Sequence, residues 1–224
     1  MHFILFLFIG TIKAGTNSGI ENGPTNRYCK YSTIGGNEIT IVKDSAGDPP
    51  SEYHFCQNLQ NKKFTVNIDE LPELFFYGSN VESVTLAATV KTIGTGVFAF
   101  CPFLKLTIVE GSAFTEIGEG AFYKSTLSPS SQIKTNPLPI TTLGKHAFYY
   151  CSLPTLSVKL GNNVLESAFE HCRVSSNGKL SVQFDRGTGN SKTFSIYQNA
   201  FAYSSIEKYR KLCFPIFLIK EFCL

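Results

Sequence analysis

The chain carries four histidines and seven cysteines, the side chains that most often bind zinc. Their spacing does not match a zinc site, because the sequence contains no Cys-x-x-Cys pair and no His-Glu-x-x-His. His146 and His171 are interpreted as solvent-exposed turn residues. The sequence therefore predicts no bound metal.

Side chains for covalent or acid–base catalysis also lack a recognisable arrangement. The sequence has no Gly-x-Ser-x-Gly elbow and no Gly-x-x-x-x-Gly-Lys phosphate loop. Closely spaced glycines occur in residues 94–98 and 185–190, but no strand leading into a long helix accompanies them, so they are interpreted as turns. No two carboxylates stand in a pattern that indicates general acid–base catalysis. We therefore expect that the chain is not an enzyme and needs no cofactor.

Composition narrows the remaining classes of protein. Of the 224 residues, 43 % are hydrophobic and 17 % are charged, which is too apolar for a disordered chain. Lysine and arginine number 20 against 17 aspartates and glutamates, a balance that argues against a nucleic-acid partner. No stretch approaches the ~18 apolar residues of a membrane-spanning helix, so we expect no transmembrane anchor.

A short phrase with a central phenylalanine returns along the chain and marks it as a repeat protein. The clearest copies are VKTIGTGVFAFC (90–101), FTEIGEGAFYKS (114–125) and ITTLGKHAFYYC (140–151). Two shorter copies cover residues 164–172 and 195–204, and a weaker one covers residues 71–79. The shared phenylalanines, called the core Phe residues and numbered zero in each repeat, are Phe76, Phe98, Phe122, Phe148, Phe169 and Phe201.

Other positions are apolar or small in the same register. Five residues before each core Phe stands an aliphatic residue: Leu71, Ile93, Ile117, Leu143, Val164 and Ile196. Five residues after it stands an apolar residue: Val81, Phe103, Leu127, Leu153, Val174 and Ile206. Alanine directly precedes four of the core Phe residues, which indicates close packing. Gly94, Gly118 and Gly144 follow the aliphatic residue, where we expect a left-handed or otherwise permissive backbone.

Upstream of these phrases, apolar and polar residues alternate with period two, as in Leu104-Lys-Leu-Thr-Ile108 and Leu156-Ser-Val-Lys-Leu160. This alternation predicts strands with one buried face. A strand, a second short extended piece, a turn and a Phe-bearing half-turn then form one coil of a solenoid with a parallel sheet.

The repeated phrase resembles the BspA-like leucine-rich repeat of surface proteins, read roughly as aliphatic-Gly-x-x-Ala-Phe-x-x-Cys-x-x-Leu. Residues 140–156 (ITTLGKHAFYYCSLPTL) match it closely, and the resemblance covers residues 71–206, about six coils. It implies a β-rich leucine-rich-repeat solenoid, an α/β-type superhelix of stacked parallel strands with short helical turns, used for binding or adhesion. Longer segments at 126–139 and 185–193 depart from the pattern and are expected to form loops at the solenoid edge.

The cysteines divide into two groups. Cys101, Cys151 and Cys172 stand three residues after their core Phe, where the other repeats carry serine, and we expect free buried thiols. A disulfide between Cys151 and Cys172 is the alternative. Cys29 and Cys56 are candidates for a disulfide in an N-terminal cap, residues 15–70. Cys213 and Cys223 are candidates for a second one in a C-terminal cap, residues 207–224.

The N-terminus begins with an apolar run over residues 3–12 that has the length of a secretory signal core. Residues 1–14 are therefore predicted to be a signal peptide with cleavage after Ala14; a retained anchor and a buried first strand remain alternatives. The apolar C-terminal end is expected to cap the fold, because it lacks the polar spacer of a lipid-anchor tail.

These features favour a secreted or cell-surface protein that binds a protein or glycan ligand. Alternation assigns seven outward residues on the concave sheet as candidate ligand contacts: Thr85, Lys105, Thr107, Ser157, Lys159, Ser181 and Gln183. Their bias toward lysine, serine and threonine suits a glycan or an acidic protein, and an ordinary solvated face is the alternative. The competing function is an intracellular or structural scaffold without catalytic activity.

Overall fold

The computed structural model describes residues 20–22, 28–30, 33–35, 38–42, 62–111, 115–133, 137–161, 164–175, 178–184 and 196–204. The predicted signal peptide, Cys56, Cys213, Cys223, the 185–193 loop and the C-terminal cap lie outside the described residues. Of Cys29 only the backbone, in a short strand, is described.

The described residues form strands and turns, with no helix among them. The first nine strands are β1 (Ile20–Asn22), β2 (Tyr28–Lys30), β3 (Thr33–Gly35), β4 (Glu38–Val42), β5 (Lys63–Asn67), β6 (Glu70–Leu71), β7 (Ser83–Leu86), β8 (Thr92–Ile93) and β9 (Lys105–Ile108). The others are β10 (Glu116–Ile117), β11 (Gln132–Ile133), β12 (Leu138–Ile140), β13 (Thr142–Leu143), β14 (Ser152–Leu153), β15 (Leu156–Leu160), β16 (Arg173–Val174) and β17 (Leu180–Phe184).

The longer strands stack side by side in two sheets. One sheet has the order β11-β9-β7-β5-β4-β3 and is parallel except for the antiparallel β3–β4 pair. The other has the order β12-β15-β17 and is parallel throughout. Burial alternates along β5, β7 and β15, as the period of two predicts. The fold is therefore the predicted solenoid of stacked parallel strands.

A second, narrower ladder runs along the solenoid. Strands β6, β8, β10 and β13 pair in parallel, and single bridges extend the series from Leu143 to Val164 and from Val164 to Ile196. Its apolar members are the six aliphatic residues that precede the core Phe residues by five, and the first five of these are buried. The register predicted from the sequence is confirmed at each of these rungs.

The turns that carry the core Phe residues replace the expected short helical turns. In the Phe122 turn, the N–H groups of Gly120, Phe122 and Lys124 donate to carbonyls of the following coil at 2.8–2.9 Å. The intervening N–H groups, such as that of Tyr123, donate within the turn to the residue three positions earlier. Every second donor thus bonds to the next coil, so a helix, which needs all donors within its own segment, does not form.

Left-handed backbone occurs at two fixed places in each turn. The residues two before the core Phe have φ between 54° and 60°, namely Leu74, Gly96, Gly120, His146, Ser167 and Asn199. The residues two after it have φ between 51° and 63°, namely Gly78, Phe100, Lys124, Tyr150, His171 and Tyr203. Non-glycine residues rarely adopt this conformation. Here the N–H of each non-glycine residue donates to a carbonyl of the next coil, except in the last described turn, which holds Asn199 and Tyr203.

The core Phe rings form one stack along the solenoid. Successive centroids lie 5.0–5.4 Å apart, and the rings are nearly parallel, with interplanar angles of 4–21°. Phe122 and Phe148 are 2 % and 3 % exposed, as the sequence predicts. The alanines that precede the rings are also buried, which leaves room for the rings to approach each other.

The reason for the repeated glycines differs from the expectation. Gly94, Gly118 and Gly144 do not have positive φ. Instead, a Cβ on Gly144 would lie 2.4 Å from the backbone nitrogen of Glu119, and one on Gly118 would lie 2.7 Å from that of Thr95. The expectation of a left-handed backbone at these positions is wrong, and glycine is needed because adjacent coils approach too closely for a side chain.

In the second coil, the buried apolar residue lies six residues after the core Phe instead of five. Phe103 is 79 % exposed, whereas the next residue, Leu104, is fully buried and pairs with Leu127. Phe103 also has a φ of 59°, which places the extra residue in the turn. Because Phe103 and Leu104 are both apolar, the sequence alone does not reveal that the buried position is shifted by one residue.

Candidate functional site

The predicted ligand-contact residues lie on the outer side of the long strands, hereafter called the sheet face. On the six-stranded sheet, Thr85 of β7 pairs in register with Thr107 of β9, and Lys105 pairs with Ser83. The two threonines are half-buried and Lys105 is exposed, while their strand neighbours Val84 and Leu106 are buried. These three side chains are thus more exposed than their strand neighbours, and their role as ligand contacts stays a prediction.

The other four predicted residues lie on the three-stranded sheet. Ser157 pairs with Ser181, and Lys159 pairs with Gln183, in the register of β15 and β17. Gln183 is exposed and the other three are half-buried. The seven residues thus form two groups, because Thr85, Lys105 and Thr107 belong to a sheet that contains neither β15 nor β17.

The structure extends the sheet face with residues that sequence reasoning missed. Thr65 of β5 pairs with Thr85, and Lys63 pairs with Ser83, so both rows continue by one strand. Glu38 of β4 pairs with Lys63 and adds an acid to the row. Lys63 also forms an ion pair with Glu82, with 3.6 Å between Nζ and Oε1. The alternation of apolar and polar residues over 63–67 could have indicated this strand. It was missed because these residues precede the first copy of the repeated phrase.

Serine and cysteine form a buried column three residues after the core Phe residues. The Sγ of Cys101 donates to the Phe76 carbonyl oxygen at 3.0 Å, and Ser125 Oγ donates to the Phe122 carbonyl oxygen at 2.8 Å. Contacts of 3.6 Å join Ser79 Oγ to Cys101 Sγ and Ser125 Oγ to Cys151 Sγ. Cys101, Cys151 and Cys172 are free thiols, as expected for residues that fill space between coils.

The buried thiols are poor nucleophiles. Burial raises the pKa of Cys151 to about 12, against the lowering effect of its hydrogen bond with Ser125. The pKa of Cys172 is also well above its ordinary value, first because of burial and second because of the nearby Cys151. A reactive cysteine needs a thiolate at neutral pH, so these side chains are structural.

A second surface was not found from the sequence. The exposed side of the Phe-bearing turns carries a continuous row of rings, hereafter called the aromatic ladder: Tyr77, Phe100, Tyr123, Tyr149, Tyr150, His171 and Tyr203. Neighbouring centroids lie 4.2–5.4 Å apart. The rings alternate irregularly between the first and second positions after the core Phe, which is why no fixed spacing indicates them.

Side chains that could bind a metal do not gather in the described ranges. No cluster of three or more histidine, cysteine or acidic side chains that could hold a metal is found there. A small cavity in the core is lined by apolar side chains, among them Ile117, Phe122 and Phe148. In the part of the chain that the structure describes, no helix has the length and hydrophobicity to cross a membrane.

Comparison with known proteins gives one match. The family model for the BspA type leucine-rich repeat region matches residues 49–176 in six copies, more than half of the chain. No curated protein matches the chain, and no solved structure matches it. Repeats of this type occur in interaction and surface proteins, and solenoids of the family are typically non-catalytic binding scaffolds.

Proposed function

The chain belongs to the BspA-type leucine-rich repeat family, and we propose that it is a secreted or cell-surface protein that binds a protein or glycan ligand through its sheet face. The observation that carries the proposal is the in-register pairing of outward Thr, Ser and Lys side chains on adjacent strands. Solenoids commonly bind through such extended faces, because side chains from many coils contact one ligand.

The chemistry of the sheet face suits a ligand rich in acceptors or negative charge. Thr85 and Thr107 offer hydroxyl groups side by side, and so do Ser157 and Ser181 on the other sheet. Lys105 adds an exposed ammonium group at one edge of its row. Hydroxyl and ammonium groups donate hydrogen bonds to sugar oxygens, sulfates and carboxylates.

The binding test reverses the charge of the sheet face. Lys105→Glu and Lys159→Glu are compared with the intact protein for attachment to host cells and extracellular matrix at low and physiological salt. Both variants are expected to attach more weakly than the intact protein, and the difference should be larger at low salt than at physiological salt, because the lost attraction is electrostatic. Lys91→Glu is the control, since Lys91 is exposed beside the narrow ladder, away from the sheet face.

If both sheet-face variants attach as strongly as the intact protein, the sheet face is not the binding surface. Prior treatment of the cells with glycosidase or with protease distinguishes a glycan ligand from a protein ligand. Attachment that persists after both treatments counts against a cell-surface ligand of either class.

The secreted location rests on residues 1–14 and has its own test. Surface labelling of intact cells is combined with N-terminal sequencing of the native protein. Labelled protein that begins at Gly15 is the expected result. Unlabelled cytosolic protein that begins at Met1 would favour the scaffold function instead.

A further inference from the structure

The last described turn carries three backbone donors that no described group accepts. In each of the five earlier turns, three N–H groups donate to carbonyls of the next coil, and around Phe169 these bonds are 2.7–3.1 Å long. The corresponding groups of the last turn, hereafter called the open donors, are the N–H groups of Asn199, Phe201 and Tyr203. Phe201 is only 8 % exposed. Buried N–H groups without an acceptor are rare, so an acceptor is expected at this end of the solenoid.

The apolar core is also less covered at this end than one coil earlier. Val182 of β17 is half-buried, whereas Val158, its register partner in β15, is fully buried. Ile196 is half-buried, whereas Val164, with which it forms a bridge, is fully buried. Both positions thus lose cover at the last coil, where no described coil follows.

The last core ring and the last strand have one partner each instead of two. Phe201 stacks on Phe169 at 5.3 Å, and no described ring lies on its other face. Phe148, inside the solenoid, has a stacked ring on both faces. Strand β17 pairs with β15, and no described strand pairs with its other edge. The end therefore lacks what a following coil supplies elsewhere, namely carbonyl acceptors, an apolar layer and a paired strand.

Residues 205–224 are the segment best placed to supply these groups. They follow Ser204, which ends the turn with the open donors, so the segment begins at the surface that it would cover. Its twenty residues approach the 21–32 residues that separate successive core Phe residues, which is enough to cross the end of the solenoid. A covalently joined segment also has a far higher effective concentration at this surface than a separate molecule has.

The composition of this segment suits the same surface. Residues 212–219, Leu-Cys-Phe-Pro-Ile-Phe-Leu-Ile, contain no charged side chain, and charged residues flank them within 207–211 and 220–221. Terminal repeats of solenoids need an apolar side toward the core and a polar side toward water. An apolar run with charged flanks provides both.

A second copy of the chain suits this end less well. The bonds from the three donors of each Phe-bearing turn all run from one coil to carbonyls of the next. Two copies joined at their C-terminal ends would therefore place donors opposite donors. A head-to-tail pair would place this end near β3, which is antiparallel to β4 and does not begin a parallel coil.

We propose that residues 205–224 form an intramolecular cap on the C-terminal end of the solenoid. Carbonyl groups of this segment accept hydrogen bonds from the open donors, and apolar side chains of residues 212–219 cover Phe201 and Val182. The cap closes the core, so this end does not pair with a coil of another chain. It is separate from the sheet face and does not depend on the function proposed for that face.

Amide hydrogen exchange of the full chain tests the cap, with mass spectrometry of peptides that cover residues 196–204. The open donors should exchange slowly in the intact protein, because each has an acceptor. Phe214→Asp places a charge in the apolar run and should make them exchange at least about tenfold faster. Lys208→Glu, in the charged flank, is the matched control and should leave their exchange unchanged. Peptides around Phe148 should stay protected in both variants, which establishes that the variants fold.

A chain that ends at Ser204 provides a second test. Its open donors should exchange fast, and a synthetic peptide of residues 205–224 should restore slow exchange. A peptide of the same composition in scrambled order is the control and should not restore it. If the shortened chain fails to fold, the comparison of Phe214→Asp with the intact protein still decides the question.

Three outcomes would overturn the inference. Fast exchange of the open donors in the intact protein would show that nothing covers this end. Slow exchange that is unchanged in Phe214→Asp would show that another group covers it. Slow exchange that is lost on dilution of the intact protein would assign the end to a contact with a second copy.

Discussion

Phe148→Ala is the substitution that tests the ring stack most directly. Phe148 lies between Phe122 and Phe169, with centroids 5.0 Å and 5.1 Å away and interplanar angles of 4° and 7°. Its ring is 3 % exposed. Removing it therefore leaves a cavity inside the solenoid and deletes two stacking contacts at once.

The size of the effect follows from these contacts. Deletion of a buried aromatic ring costs about 3–5 kcal/mol, including the cavity that remains. Each aromatic pair contributes about 0.5–1.5 kcal/mol beyond the burial of its area. Phe148→Leu keeps most of the volume and loses both pairs, so it should cost about 1–3 kcal/mol. Phe148→Ala should lie near the upper end of its range.

The measurement is urea unfolding followed by tyrosine fluorescence, which is the dominant emission because the chain has no tryptophan. Free energies of unfolding come from linear extrapolation. Phe103→Ala is the matched control, since it removes the same ring from a site that is 79 % exposed. Its effect should stay within about 0.5 kcal/mol.

Two results would refute the reasoning. A cost below about 1 kcal/mol for Phe148→Ala would place the ring outside the core. A cost for Phe103→Ala equal to that for Phe148→Ala would show that the exposed and buried rings were assigned in reverse. The second result would also contradict the register slip that places Leu104 inside.

Three further substitutions or conditions test the packing between coils. Gly144→Ala should lower the free energy of unfolding in urea by about 1–3 kcal/mol, because the added Cβ meets the Glu119 backbone. Gly78→Ala, whose Cβ would have nothing within 4 Å, should cost only the ~1 kcal/mol of a left-handed backbone. Cys151→Ser should cost less than about 1 kcal/mol, because Ser125 already bonds to a core Phe carbonyl at that place; a native disulfide to Cys172 in mass spectra would contradict the space-filling role. Stability should fall above about pH 8.5, where the unfolded Cys151 thiol ionises while its folded pKa stays at about 12. Urea midpoints at about pH 8 and about pH 10 should show this fall, and Cys151→Ser should reduce it.

Much of the fold could be predicted because stacking imposes the same requirement on every coil. The core Phe must meet another ring above and below, and the aliphatic residue five places earlier must meet its counterpart in the narrow ladder. Each requirement therefore recurs as a residue type at a fixed spacing, which a single sequence displays. The parallel stacking of strands then follows from the repetition.

The turns could not be predicted in the same way because backbone geometry there is imposed by the next coil. The left-handed position before the core Phe holds leucine, glycine, histidine, serine and asparagine in different coils, so no residue type signals it. Hydrogen bonds between coils offset the strain, as when the His146 N–H donates to the Glu166 carbonyl at 3.1 Å. The glycines that recur in three repeats are required for a different reason, which is the close approach of adjacent backbones.

The sheet face was predictable as a surface because alternation along a strand separates inward from outward residues. The extent of the sheet face was not predictable, because the rows through Thr65 and Lys63 depend on the pairing between β5 and β7. Pairing across twenty residues of sequence is a tertiary property, and the repeated phrase does not encode it. The division of the seven predicted residues between two sheets has the same origin.

The aromatic ladder differs from the core stack in what the fold requires of it. The first position after the core Phe is occupied by Tyr, Ala, Tyr, Tyr, Glu and Ala along the six coils, and the second by Gly, Phe, Lys, Tyr, His and Tyr. Each coil carries a ring at one of the two positions at least, so neither position alone has to be aromatic. Yet the row is continuous from Tyr77 to Tyr203, because a ring absent from one position is supplied by the other. Continuity across an irregular register is therefore a property of the assembled turns, which no fixed spacing in the sequence displays.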